Sequence, residues 1–154
     1  GLLMTPKEAV KEYADVLQNG ANSKYASQFA DDDLRTKLSE LTDQVQKAME
    51  LNKGTQEQTF TPVDDAICVM RSSDGGDLVV AQINSEWTRR AGEGRESQPA
   101  SDAEKALFGD GKATSIMKTT YVNVVALYIP KANTGKQVTA VGSERQPIKV
   151  EASE

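Results

Sequence analysis

The hydrophobic period of this chain changes once, at Gly54, and that change restricts its fold more than any other feature. Before it, apolar residues recur at helical spacing. Thr5-Pro6-Lys7-Glu8 has the form of a helix start, with threonine at the cap, proline in the first turn and glutamate closing a capping box. Ala9, Val10, Tyr13, Ala14, Val16 and Leu17 then share one stripe, and Asn19-Gly20 supplies the stop. A polar segment anchored by Tyr25 and Phe29 follows. Asp31-Asp32-Asp33 next precedes Leu34, Leu38, Leu41, Val45 and Ala48, a second amphipathic helix running to Asn52.

Beyond Gly54 the period is two. Thr59 to Ser72 reads as a strand, bent or at an edge near Pro62, and Ser73-Asp74-Gly75-Gly76 as a tight turn. Leu78 to Thr88 is the second strand. Its odd residues Val79, Ala81, Ile83 and Trp87 should face the core, leaving Gln82, Asn84 and Glu86 as a polar even row. Residues 89–112 form a polar connection in which Ser101-Asp102-Ala103-Glu104 caps a short helix through Leu107-Phe108. Ala113 to Ile129 is the longest strand. Val124 to Ile129 is apolar on both faces and so belongs at the centre of the sheet. After Pro130 and a turn at Asn133-Thr134-Gly135, Val138–Gly142 and Ile148–Val150 complete the sheet, interrupted by Pro147. This order predicts one α+β domain over residues 5–150, with N-terminal helices packed on one face of a curved antiparallel sheet of four to six strands. Residues 1–4 read as a linker remnant and 151–154 as a polar tail.

Two absences exclude much chemistry. With no histidine, serine–histidine triads, cysteine–histidine nucleophiles and two-histidine zinc sites are ruled out. The one cysteine, Cys68, sits in the apolar run Ala66-Ile67-Cys68-Val69-Met70 and is expected to be an inert core residue. Eighteen basic residues against twenty-three acidic ones give a net charge of −5, which disfavours nucleic acid and anionic lipid surfaces alike. No apolar stretch is long enough to span a bilayer.

The remaining motifs are weak as chemistry. Asp31-Asp32-Asp33 lacks the spacing of a calcium loop and suits the start of a helix, where the dipole and orphan amides favour carboxylates. Asp64 and Asp65 are adjacent in a strand and point to opposite faces, so they do not converge as an acid–base pair. Gly109-Asp110-Gly111-Lys112-Ala113-Thr114 has alanine where a phosphate loop needs glycine and a hydroxyl, and Gly92-Glu93-Gly94 lacks the third glycine of a dinucleotide fingerprint. No cofactor or metal is expected. The candidate contact patch is Trp87, Arg89 and Arg90, with Arg95 nearby. Tryptophan and arginine are enriched at binding hot spots, and an arginine fork suits carboxylate or phosphate. The alternative is a core tryptophan closing the sheet edge, with the arginines paired to Glu86, Glu93 and Glu96.

Helices first and a long curved antiparallel sheet after, over residues 5–150, resembles the cystatin-like and nuclear-transport-factor-two-like superfamily. Its enzymes often use an aspartate–histidine pair between helix and sheet, which a histidine-free chain cannot supply. The segment Thr120-Tyr121-Val122-Asn123 through Leu127-Tyr128-Ile129-Pro130-Lys131, with Val138 to Glu144, is similar to the closing part of uncharacterised actinobacterial cell-surface lipoprotein domains. That likeness implies an extracytoplasmic domain tethered through an upstream lipid anchor. The expected function is a non-catalytic extracytoplasmic module that binds or positions a partner, protein or small molecule. Two alternatives stand beside it. One is a small-ligand domain with a pocket between helices and sheet, where small residues such as Ala9, Ala14 and Ala48 leave room. The other is an enzyme working with carboxylates, tyrosines or lysines alone. The even row Gln82, Asn84 and Glu86 is read as a solvated face, with a homodimer through it as the alternative.

Overall fold

A computed structural model describes residues Gly1–Glu154. The first helix, α1 (Pro6–Asn19), begins with the capping box its sequence spells out. Thr5 Oγ1 accepts the Glu8 N–H at 3.1 Å, and Glu8 Oε1 accepts the Thr5 N–H at 3.2 Å. Helix α2 (Asp33–Asn52) starts on Asp32, whose carboxylate accepts the Arg35 N–H at 2.8 Å, and stops where Lys53 turns left-handed. Asp32 also accepts the Tyr13 hydroxyl at 2.9 Å, so the acidic triplet caps one helix and ties it to the other.

The sheet consists of β1 (Thr55–Arg71), β2 (Asp77–Arg90), β3 (Ile116–Ile129) and β4 (Thr139–Ser153), antiparallel throughout in the order β1-β2-β3-β4. The α+β class, the antiparallel sheet and the helices on one face are as expected. The apolar strand β3 is internal to the sheet, and the turn at Ser72–Gly76 joins β1 to β2 with Gly75 at φ +87°. The edges hold the irregularities. Val63 to Ala66 bulge from β1 opposite Gln82, and Val141 and Ile148 are the extra residues in β4. Pro147 does not end the strand: on an edge its missing N–H costs no ladder bond, and the strand passes it with one bulged residue. The last strand runs unbroken to Ser153, and its end pairs with the start of β3. At the other terminus the Leu3 N–H donates to Pro130 C=O at 2.9 Å, and Leu2, Leu3 and Met4 pack against the core.

The core lies between α1 and the odd face of the sheet. Val79, Ala81, Ile83, Val125, Leu127 and Ile129 are buried against Ala9, Val10, Tyr13, Ala14, Val16 and Leu17. The alanines of α1 let the helix sit close on the strands; side chains fill the space between them, and burying each large one contributes roughly 1.5–3 kcal/mol. The opposite face of the sheet has no covering element. Cys68 pairs with Val80 on that face and is exposed, which overturns the expectation of a core cysteine. Hydrophobic neighbours in sequence mislead here because one face of the sheet is uncovered, as exposed Met70 in β1 and Val124 in β3 also show.

Candidate binding groove

The structure brings Trp87 and Arg89 together and separates Arg90 from them. Trp87 and Arg89, on the odd face of β2, are only 1% and 2% exposed, whereas Arg90 faces solvent. The Trp87 indole N–H donates to Gln56 Oε1 at 2.9 Å, and the Arg89 guanidinium stacks 4.5 Å from the indole centroid. Arg89 pairs with neither Glu86, Glu93 nor Glu96. It forks onto Glu104, at 2.5 Å through Nη2 and 3.5 Å through Nη1. Glu104 comes from the short helix α3 (Asp102–Phe108), capped by Ser101 Oγ, which accepts the Glu104 N–H at 3.2 Å. Its carboxylate also accepts the Ala100 N–H at 3.2 Å and the Tyr121 hydroxyl. Burial pushes the Glu104 carboxyl up, but Tyr121, Arg89 and the Ala100 amide outweigh it and hold the group below the usual glutamate value. Burial first, and then the same contact, raise the Tyr121 phenol.

These residues belong to a polar belt where the apolar core stops. Ser85, Thr119, Tyr121 and Asn123 are buried on the same sheet face. Arg145 reaches over them from β4, donating to Asn123 Oδ1 at 2.8 Å and Ser85 Oγ at 3.1 Å while stacking 3.7 Å from the Tyr121 centroid. Burial without a paired carboxylate holds its guanidinium down to about 10. Most polar atoms of the belt bond one another, with Thr119 Oγ1 and Arg145 Nη2 buried without a partner, an arrangement that suits a structural network more than a site that exchanges protons or ligands with solvent.

A different place is open. A groove of about 890 Å³ runs between the end of α1, the first half of α2 and residues Gln56–Phe60 of β1. It exists because α2 outruns the core beneath it. Leu34 and Leu38 are buried, Leu41 and Val45 only half-buried, and Ala48 exposed. Where the sheet should meet that stripe, β1 presents amides. Gln58 Nε2 donates to Thr42 Oγ1 and Gln56 Nε2 to Thr42 C=O, both at 3.1 Å, so side-chain bridges take the place of apolar contact. Gln58 Oε1 is buried with no partner. At the α1 end, Gln18 Oε1 accepts the Phe60 N–H at 2.9 Å. Asp31, Asp32, Glu40, Asp43 and Glu57 line the groove against one cation, Arg35, which is 3.8 Å from Asp31. Glu40, Asp43 and Glu57 are exposed and in no ion pair, so a negative field lies across the opening.

Sequence reasoning placed the start of β1 at Thr59 and so missed this wall. Thr55-Gln56-Glu57-Gln58 has no apolar residue on either face, and alternation cannot reveal a strand whose inner face carries glutamines. The remaining motifs gather nowhere. Asp64 and Asp65 lie exposed in the bulge of β1, and no three histidine, cysteine, aspartate or glutamate side chains converge as a metal set. No helix is long and apolar enough to cross a membrane.

Comparison with curated proteins and with solved structures finds no match. A family model does match, over residues 1–151, and the chain belongs to that family, described as a domain of unknown function, DUF8094.

Proposed function

We propose that this chain is a non-catalytic binding module and that the groove between α1, α2 and β1 is its binding element. One observation carries the proposal: the groove combines about 890 Å³ of open volume with hydrogen-bonding side chains and unpaired carboxylates, a combination suited to recognition. The chemically distinctive side chains are elsewhere and engaged. Glu104 accepts from Arg89, Tyr121 and Ala100 within a closed interior, and Tyr13 is committed to Asp32. The space between α1 and the odd face of β2 is filled by side chains, which favours the groove over an internal pocket.

A screen of small fragments (sugars, carboxylates, amines and short peptides) followed by amide NMR shifts tests the proposal. Hits should move Gln56–Phe60 together with α2 residues, and Ser39→Trp, placed in the groove wall, should abolish them. Shifts clustering elsewhere, or persisting in Ser39→Trp, would overturn it. Display outside the cytoplasm is part of the same proposal, supported by the likeness of the segment from Thr120 to Glu144 to cell-surface lipoprotein domains. Fractionation of the native host finding the protein in the cytosol would overturn that part.

A further inference from the structure

An open sheet edge is a template for another strand, and folded proteins protect such edges with prolines, bulges and charges. Three of the four half-edges here are protected in this way. The second half of β1 carries Pro62 and the bulge Val63–Ala66 with its two aspartates. Each half of β4 carries a bulge, at Val141 in one and at Ile148 beside Pro147 in the other. The first half of β1, Thr55–Thr61, has no proline, no bulge and a single charge, Glu57. The Phe60 N–H points away from β2, since Gln18 accepts it. Alternate residues of an antiparallel strand turn their backbone groups the same way, so the N–H and C=O of Gln56 and Gln58 also face outward, into the groove. We infer that an extended, cationic peptide segment binds by adding as a fifth strand along Gln56–Phe60.

The inference rests on the groove being the binding element and names its ligand class. Five residues of strand extend roughly 16 Å, enough for four or so main-chain bonds. Side chains of such a segment alternate between the α2 side, where lysine or arginine meets Glu40 and Asp43, and the uncovered sheet face, where it meets Glu57. The same carboxylates disfavour a second copy of this chain, which would bring two acidic edges together in a protein of net charge −5.

The test uses a blocked seven-residue peptide alternating lysine with threonine, titrated by calorimetry and followed by amide NMR. Binding should shift Gln56 and Gln58, slow exchange of their amides, and weaken about tenfold or more when glutamate replaces lysine. Two further peptides carry N-methyl groups on all the lysines or on all the threonines. Only one row of peptide N–H groups can face β1, so one methylated peptide should bind nearly normally and the other about tenfold worse or more. Equal affinity of the two, or equal loss, overturns strand addition. If the peptides fail while other fragments still move groove residues, the ligand class is wrong and the groove stands as the binding element. If no probe touches the groove, both fall. A sedimentation dimer lost on methylating or mutating the β1 edge would assign the edge to self-association instead.

Discussion

Replacing Glu104 by alanine removes the one carboxylate that neutralises Arg89 inside the molecule. The guanidinium is 2% exposed and covered by the Trp87 ring, so it cannot turn out to water without opening α3 and the strand beneath it. The carboxylate accepts both Arg89 nitrogens, the Ala100 amide and the Tyr121 hydroxyl, and all of these lose their acceptor together. Breaking a buried pair from one side costs about 3–5 kcal/mol, much of it the stranded charge. Against a typical domain stability of about 5–15 kcal/mol, that is enough to leave the variant marginal at room temperature. Urea unfolding read through the fluorescence of Trp87, the sole tryptophan, reports the change at the site itself. Glu104→Leu combined with Arg89→Met should recover most of the loss, because the replacement strands no charge. Protonation gives a second handle. The folded Glu104 value lies below its ordinary 4.5, so the pair's stabilisation is complete above about pH 4.5 and fades as pH falls through the folded value. The stability gap between the native protein and Glu104→Gln should therefore narrow on acidification below pH 4.5. A loss under about 1 kcal/mol in Glu104→Ala, or a gap that does not change with acid, would refute this account of the belt.

Asp32→Ala removes the α2 cap and strands the Tyr13 hydroxyl, which is otherwise buried; a loss of about 2–4 kcal/mol in urea midpoint experiments is expected. Cys68 should react with a thiol reagent once per chain in the folded state; needing denaturant for reaction would contradict its placement on the uncovered face. Asp74, which accepts from Tyr128 foremost and also from the Gly76 amide and Ser72, should titrate near pH 2 by carboxyl NMR. Tyr128→Phe should raise that midpoint toward the ordinary 3.8, and no change would remove the tyrosine as the cause.

The architecture was legible where local chemistry and burial agree. Thr5 and Glu8 close a capping box in the structure as in the sequence, and the odd residues of β2 are buried because one face of a central strand meets α1. The short helix α3 was legible from Ser101 as a cap, but the inward turn of Glu104 was not. Its partner Arg89 is fifteen residues away and nearer glutamates competed for it on spacing alone. Cys68 was misread because an apolar run says nothing about which side of an edge strand is covered. The groove was illegible for a deeper reason. Hydrophobic patterning detects surfaces that bury one another, and a groove is where such burial fails; the only trace was an apolar stripe on α2 with no apolar strand face to receive it, once Gln56 and Gln58 are known to lie beneath.

The belt and the groove share a boundary, and that decides what a ligand in the groove can do to the fold. Gln56 lines the groove through the same side chain that accepts the Trp87 indole N–H, and Trp87 carries Arg89 on its other face. Gln56 Nε2 is held at the same time by Thr42 and Gln46 of α2, at 3.1 Å each. One amide thus joins α2, through two hydrogen bonds, to the enclosed network, through one. A ligand that draws α2 toward β1 leaves all three bonds in place; one that wedges them apart must break either the two bonds to α2 or the one to Trp87. Trp87 is buried, so stranding its N–H would cost about 1–3 kcal/mol, whereas half-buried Thr42 and exposed Gln46 can turn to water; the two outer bonds yield first and the belt stays closed. Occupancy of the groove should then alter the exchange of α2 amides while Trp87 fluorescence holds steady, the behaviour of a recognition surface mounted on a rigid base.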